Sequence, residues 1–239
     1  MRQTFLRHTD GNDSLMLFFA GWGAEPCMFA EPESGMTAGR LPYDILLCWD
    51  YRSMDFDMEV PRRYGTIRIL AWSMGVSMAG RLLAATSSGH DISPLVTDSL
   101  AVCGTPFPID DQRGIPKAIF DGTADGLSDR SMAKFRRRMC GSSEALDQLL
   151  SSGLTRTTEE LREELLSIRD AVLECSDVES AACLWRRAIV GTEDMIFPAS
   201  NQRRAWESLG VPYVISDMPH YETRLFRQLL YQQDSWTRL

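Results

Sequence analysis

Arg68-Ile69-Leu70-Ala71-Trp72-Ser73-Met74-Gly75-Val76-Ser77-Met78-Ala79-Gly80 changes its hydrophobic period in the middle, and a serine stands at the change. Ile67, Ile69, Leu70 and Trp72 read as a short buried strand, and Met74 through Ala85 read as a small-residue helix packed closely against it. A strand that turns straight into a helix forces the residue between them into a strained conformation, and the positions two before and two after must be small. Here they are Ala71 and Gly75. The turn leaves Ser73 exposed at a strand end and aims the first N–H groups of the helix at whatever the serine attacks. Read alone, the pentapeptide serves an ordinary β-to-α turn as well as a nucleophile, so its partners decide.

Upstream, Thr4 to His8 and Leu15 to Ala20 are β-rich runs around Asp10-Gly11, so an antiparallel hairpin is expected to open the chain. The second run ends in Phe18-Phe19-Ala20-Gly21-Trp22-Gly23-Ala24-Glu25, where two glycines let the backbone come close to a ligand. Elsewhere this would be a tight turn. Next to Ser73, the Trp22 N–H becomes a candidate oxyanion donor alongside that of Met74. Asp44 to Trp49 is a further strand, and Asp50 at its carboxyl end either touches substrate or anchors the loop.

Downstream, Leu95 to Cys103 is β-rich and is broken by Gly104-Thr105-Pro106-Phe107-Pro108. From about Pro108 to Cys183 the pattern is helical: Ser131 to Met139, Ser143 to Leu150 and Thr157 to Leu173, the last with Thr157-Thr158-Glu159-Glu160 as a capping box. We expect one α/β fold with a mostly parallel central sheet, a core of residues 1–107 and 184–239, and an inserted helical lid of residues 108–183. The core resumes with the strand Arg187 to Gly191 and the acids Glu193 and Asp194. A helix around Trp206, a last strand Val211 to Ile215 and then Asp217-Met218-Pro219-His220-Tyr221 come after them. The order serine, acid, histidine, each after a strand, is that of α/β-hydrolases.

Composition sets the bounds. The 239 residues are 44% hydrophobic and 24% charged, enough for one sizeable core. A net charge of −8 and a pI near 5.0 argue against nucleic acid or an anionic membrane as partner. No run has the length of a membrane span and the polar start lacks a signal-peptide core, so a cytoplasmic protein is expected. Cys27, Cys48, Cys103, Cys140, Cys175 and Cys183 are scattered and read as reduced, mostly buried thiols. His8, His90 and His220 form no zinc spacing, so neither metal nor cofactor is expected.

Serine needs a base and the base needs an orienting group. His220 can take the Ser73 proton and return it to a leaving alkoxide, and Asp194 would hold the imidazole and stabilise its charged form. Glu193 competes for that role; the shorter acid just ahead of Met195-Ile196-Phe197 fits better. His8 lies on an outer strand and His90 in a polar, surface-like segment. Lys134-Phe135-Arg136-Arg137-Arg138-Met139 is the densest basic run, and it is either a solvated helix face or a dock for an acidic or phosphate-bearing partner.

With these residues in view, the chain resembles the BioG family of pimeloyl-[acyl-carrier-protein] methyl ester esterases. The resemblance rests on Phe-Ala-Gly-Trp-Gly, Cys-Trp-Asp-Tyr-Arg, Ala-Trp-Ser-Met-Gly-Val, Gly-Thr-Pro-Phe-Pro-Ile-Asp-Asp, Phe-Arg-Arg-Arg-Met-Cys-Gly, Gly-Thr-Glu-Asp-Met-Ile-Phe-Pro and Met-Pro-His-Tyr, spread nearly from end to end. Ala71 departs from the usual glycine. The resemblance implies an α/β-hydrolase fold and removal of the methyl group from pimeloyl-acyl carrier protein methyl ester, a late step toward biotin. It also implies substrate contacts at Trp22 and Phe107 and an acidic carrier docking on Arg136, Arg137 and Arg138. A general short-chain carboxylesterase or thioesterase, or a non-catalytic binding protein of the same fold, are the other readings.

Overall fold

Four segments rich in Leu, Ile, Phe and Val build the centre of the molecule: β2 (Ser14–Phe19), β3 (Asp44–Trp49), β4 (Thr66–Trp72) and β5 (Val96–Val102). Strands buried on both faces read as near-continuous apolar runs, and all six residues of β3 are buried. The computed structural model describes residues 1–31, 41–84, 91–174, 184–233 and 236. Among them, β1 (Arg2–Arg7), β6 (Arg187–Gly191) and β7 (Tyr213–Ser216) complete a seven-stranded sheet in the order β1-β3-β2-β4-β5-β6-β7. Every neighbouring pair is parallel except β1 with β3. His90, Cys175 and Cys183 lie outside the described residues, and Cys27, Cys48, Cys103 and Cys140 are free thiols.

The antiparallel first strand agrees with the sequence reading, but its partner is β3 and not β2. Asp10-Gly11 does turn the chain, with Gly11 at φ 81°. Residues 8–13, however, make a connection wide enough to step across an intervening strand, a span of roughly 10 Å. Asp44, buried at the start of β3, holds that connection: it accepts from the Thr9 N–H (3.0 Å), Asn12 Nδ2 (2.7 Å) and the Tyr64 hydroxyl (2.6 Å), and lies 2.5 Å from His8 Nδ1. His8 is thereby committed to the fold.

Side-chain alternation divides the strands between two apolar layers. Leu15, Leu17, Phe19, Ile67, Ile69 and Ala71 pack on α1 (Met74–Ala84) and on Trp206 of α6 (Ala199–Leu209). Met16, Phe18, Leu70, Trp72 and Leu100 pack on Phe226, Leu229 and Leu230 of α7 (Thr223–Tyr231).

Between β5 and β6 the chain forms α2 (Lys117–Asp125), α3 (Asp129–Cys140), α4 (Ser143–Leu150) and α5 (Thr158–Glu174). The capping box opens α5 as expected: the Thr157 N–H donates to Glu160 Oε2 at 2.9 Å and the Glu160 N–H to Thr157 Oγ1 at 3.2 Å. Helix α2 was not anticipated, because Gly122 interrupts its interior and it buries only Phe120 and Ala124. These helices share the sheet's apolar core through Phe120, Met132, Leu161, Leu165 and Ile168.

Candidate active site

Strands β2 and β4 are neighbours although β3 separates them in sequence, so the sheet reverses its winding between them and the loops at their carboxyl ends open onto one crevice. Ser73 comes directly after β4 with φ 60°, a region strained for a residue with a side chain. Its N–H donates to the Val102 carbonyl at 3.0 Å, and the Val76 N–H closes on the Ser73 carbonyl at 3.2 Å. Gly75 is imposed by contact, since a Cβ there would stand 2.3 Å from the Phe19 carbonyl oxygen. Ala71, where glycine is usual, fits fully buried in the sheet opposite Ala101.

His220 lies beyond β7, with Nε2 2.9 Å from Ser73 Oγ and Nδ1 2.8 Å from Asp194 Oδ2. All three side chains are buried. Asp194 is itself fixed: Oδ1 accepts from the N–H groups of Ile196 (2.8 Å) and Phe197 (2.9 Å), and Oδ2 accepts from Gln202 Nε2 (2.9 Å). Trp72 Nε1 donates to the His220 carbonyl at 2.8 Å, and the Phe197 ring lies nearly parallel to the imidazole with centroids 5.9 Å apart. Glu193 is exposed.

The Gly21–Gly23 loop is pressed against the serine. A Cβ on Gly21 would sit 2.8 Å from Ser73 Cβ and 3.2 Å from its Oγ. Among the described residues the backbone N–H groups of Trp22 and Met74 have no acceptor. Such an arrangement can pass the serine proton to imidazole, balance the imidazolium with a carboxylate and offer donors to a developing oxyanion.

Ser73 and His220 open into a cavity. Its walls are apolar: Ile115, Ile119 and Phe120 from the α2 region, Phe135 from α3 and Leu165 from α5. Met195 and Ile119 are exposed at its mouth. The α2 contribution escaped the sequence reading together with the helix.

Phe107, an expected substrate contact, does not line this cavity. Its ring carries the Arg113 guanidinium at 3.7 Å, and the segment folds onto itself where Thr105 Oγ1 donates to the Arg113 carbonyl at 2.7 Å. The wall position falls to Ile115 instead.

Arg136, Arg137 and Arg138 do not share one face, as expected of adjacent residues turning about 100° apart on a helix. Arg138 borders the cavity and Arg137 is exposed. Arg136 turns into a groove between α3, α4 and the start of α5, where burial pushes its pKa down against the pull of Glu25. The exposed cations of α3 are Arg130, Lys134, Arg137 and Arg138, and among the described residues none of them makes an ion pair.

Among the described residues one group has metal-ligand types: Cys103, Asp194 and His220, with their ligand atoms within 4.8 Å of one another. Burial drives the Cys103 thiol well above its ordinary pKa, with Asp194 adding to the effect. Both His220 nitrogens already have hydrogen-bond partners. Cys103 (φ 46°) and Asp50 (φ 55°) are, with Ser73, the described non-glycine residues of positive φ, and each stands directly after a strand. Asp50 anchors a loop, taking paired bonds from Arg52 Nε and Nη2 at 2.8 Å each and one from Arg156 Nη2 at 3.3 Å.

Comparison with known proteins fits this geometry. A family model described as pimeloyl-ACP methyl esterase BioG matches residues 1–228. The chain belongs to the BioG family. A crystal structure of BioG from Haemophilus influenzae superposes on this BioG-family chain with a TM-score of 0.78 and 30% identity, covering 97% of this chain and 100% of that one. A Bacteroides fragilis protein named malonyl-[acyl-carrier protein] O-methyltransferase is 40% identical over 217 residues, 90% of this chain. Those residues are 41% of the Bacteroides protein, so this chain spans about two fifths of that relative's length.

Structures of a lipase-esterase related protein from Clostridium acetobutylicum (TM-score 0.64, 12% identity, 99% and 96% covered) and an enol-lactonase from Burkholderia xenovorans (0.60, 12%, 99% and 93%) share the fold. The BioG-family chain thus has the α/β-hydrolase fold. No described helix is long and apolar enough to cross a membrane.

Proposed function

We propose that this protein is a serine esterase that removes the methyl group from pimeloyl-[acyl-carrier protein] methyl ester. The observation that carries the reading is the hydrogen-bonded line Ser73, His220, Asp194 at the base of an apolar cavity, in a chain of a family described as pimeloyl-ACP methyl esterase. Ser73 Oγ attacks the ester carbonyl as its proton passes to His220 Nε2. The oxyanion takes the N–H groups of Trp22 and Met74, and His220 returns the proton to the departing methoxide as methanol. Water, deprotonated by His220, then attacks the acyl-serine; the imidazolium reprotonates Ser73 and the free carboxylate leaves.

The walls argue for an esterified chain end over a free acid. Ile119, Phe120, Phe135 and Leu165 suit methylenes and a methyl ester, whereas an ionised carboxylate in the same space loses its hydration. Hydrolysis therefore turns a well-accommodated group into a poorly accommodated one, which favours product release. The Bacteroides relative is named for methyl transfer to a carrier-bound acyl group, chemistry that makes the kind of ester removed here. Carrier proteins are acidic, and the unpaired cations of α3 lead toward the cavity mouth at Arg138.

The test tracks methyl loss by mass on pimeloyl-acyl carrier protein methyl ester and release of the phenol from a short aryl ester, with wild type and Ser73→Ala. Preference for the carrier ester, with turnover reduced on the order of 10⁶ by Ser73→Ala, is the expected result. Ser73-dependent cleavage of the aryl ester alone would make the protein a general carboxylesterase. No Ser73-dependent turnover on either would make it a binding protein.

A further inference from the structure

Helix α5 buries an acid that the reaction does not use. Glu164 is 0% exposed, and burial raises its pKa while Arg156 opposes the rise. Its Oε2 accepts from the Gly23 N–H at 3.0 Å and from Arg156 Nη1 at 2.7 Å, and its Oε1 accepts from the Tyr51 N–H at 3.0 Å. Arg156, 4% exposed, reaches on through Nη2 to Asp50 Oδ1 at 3.3 Å and the Glu160 carbonyl at 3.2 Å.

The loop that receives this carboxylate is the one pressed on Ser73, and it is held on either side of Gly23 as well. Trp22 Nε1 donates to the Leu161 carbonyl at 2.7 Å. The Glu25 carboxylate, also buried, takes the Thr155 hydroxyl at 2.7 Å and the Arg156 N–H at 3.1 Å. A wholly buried carboxylate is a costly way to satisfy one loop N–H, because it must first be stripped of water. What it supplies in return is a stiff, charge-assisted acceptor. With the Gly23 N–H committed to Glu164 and the indole N–H to Leu161, the Trp22 backbone N–H is left without an acceptor among the described residues.

We infer that Glu164 is a positioning residue: by accepting from the Gly23 N–H it sets the Trp22–Gly23 backbone so that the Trp22 N–H is preorganised as an oxyanion donor, and Arg156 holds the carboxylate in place. The inference rests on the ester-hydrolase reading. It makes α5 part of the machinery that stabilises the transition state, although Glu164 does not line the cavity.

The test uses the full chain, a short aryl ester and an arylboronic acid, which forms a tetrahedral adduct on the serine. Glu164→Gln turns an amide toward one of the two N–H groups. It is expected to lower kcat about 10- to 100-fold with KM within about threefold, and to weaken the boronic acid in parallel. Glu164→Gln with Arg156→Met removes both charges, so no buried ion is left alone; it should melt close to wild type and keep the kinetic deficit.

Wild-type kcat and boronate affinity in either folded variant would overturn the inference, as would losses that track the unfolded fraction alone. Ser73→Ala separates this from the parent reading. If Ser73→Ala is inert while the Glu164 variants match wild type, only the positioning role falls. If Ser73→Ala keeps full turnover, the reading of Ser73 as the nucleophile falls, and the oxyanion-donor role built on it falls with it.

Discussion

Asp194→Asn would keep the shape of the acid and its anchoring by the Ile196 and Phe197 N–H groups. It would meet His220 Nδ1 with a neutral group that no longer selects the tautomer or balances the imidazolium, so kcat should fall by about 10⁴ in a steady-state assay. Glu193→Gln, at an exposed position, should change kcat less than about twofold. Ser73, Asp194 and His220 were legible because each falls at a break between a strand and the element after it. The choice between the two adjacent acids rested on length alone until the fold turned one inward. Gln202 and Glu164 were illegible for a different reason. Each is one polar residue among several on a helix, and Glu164 acquires meaning only from Gly23 and Tyr51, 141 and 113 residues away. The folding of the Phe107 segment onto Arg113 was illegible too, because a Gly-Thr-Pro-x-Pro stretch looks the same whether it faces a cavity or closes on itself.

Helix α3 shows how an element redistributes residues that a sequence places together. The run Arg136-Arg137-Arg138 scatters around the helix, and the exposed set becomes Arg130, Lys134, Arg137 and Arg138, spaced at i, i+4, i+7 and i+8. Reversing Arg130, Lys134 and Arg137 to Glu together should raise KM for the carrier-linked ester by about tenfold or more and flatten its salt dependence. Turnover of a small aryl ester should be unchanged, and kinetics at low and high salt check both. The same lesson applies to β1: its antiparallel direction could be read from the Asp-Gly turn, but its partner depends on where β3 is inserted, which no local signal records. Helix α2 was lost to Gly122 and to a sparse apolar face, since most of what it offers the molecule lines a cavity and not the core.

For the whole molecule, the buried carboxylates set the response to acid. Burial pushes Asp50 upward, but its bonds to Arg52 and the charge of Arg156 more than offset this, and its pKa is lowered. Asp44 behaves alike, burial being outweighed by Tyr64, Asn12 and His8. A lowered folded-state pKa gives stability that is full above the unfolded value, about 3.9 for Asp, and is lost as pH falls through the folded value. Glu164 has the opposite sign: raised by burial, it favours folding only as it takes up its proton. The urea midpoint should therefore drop as pH is lowered below about 4, and Asp50→Asn should lessen that drop while costing stability at neutral pH. Denaturation series across pH for both proteins decide this. The left-handed residues Asp50, Ser73 and Cys103 add a different tension, for they stand one residue past β3, β4 and β5 along a single edge of the sheet. Each costs on the order of 1 kcal/mol that glycine would not. Selection for heat resistance alone would find such a gain at Ser73, and taking it would erase the proposed nucleophile: thermal tolerance and turnover draw on the same backbone angle.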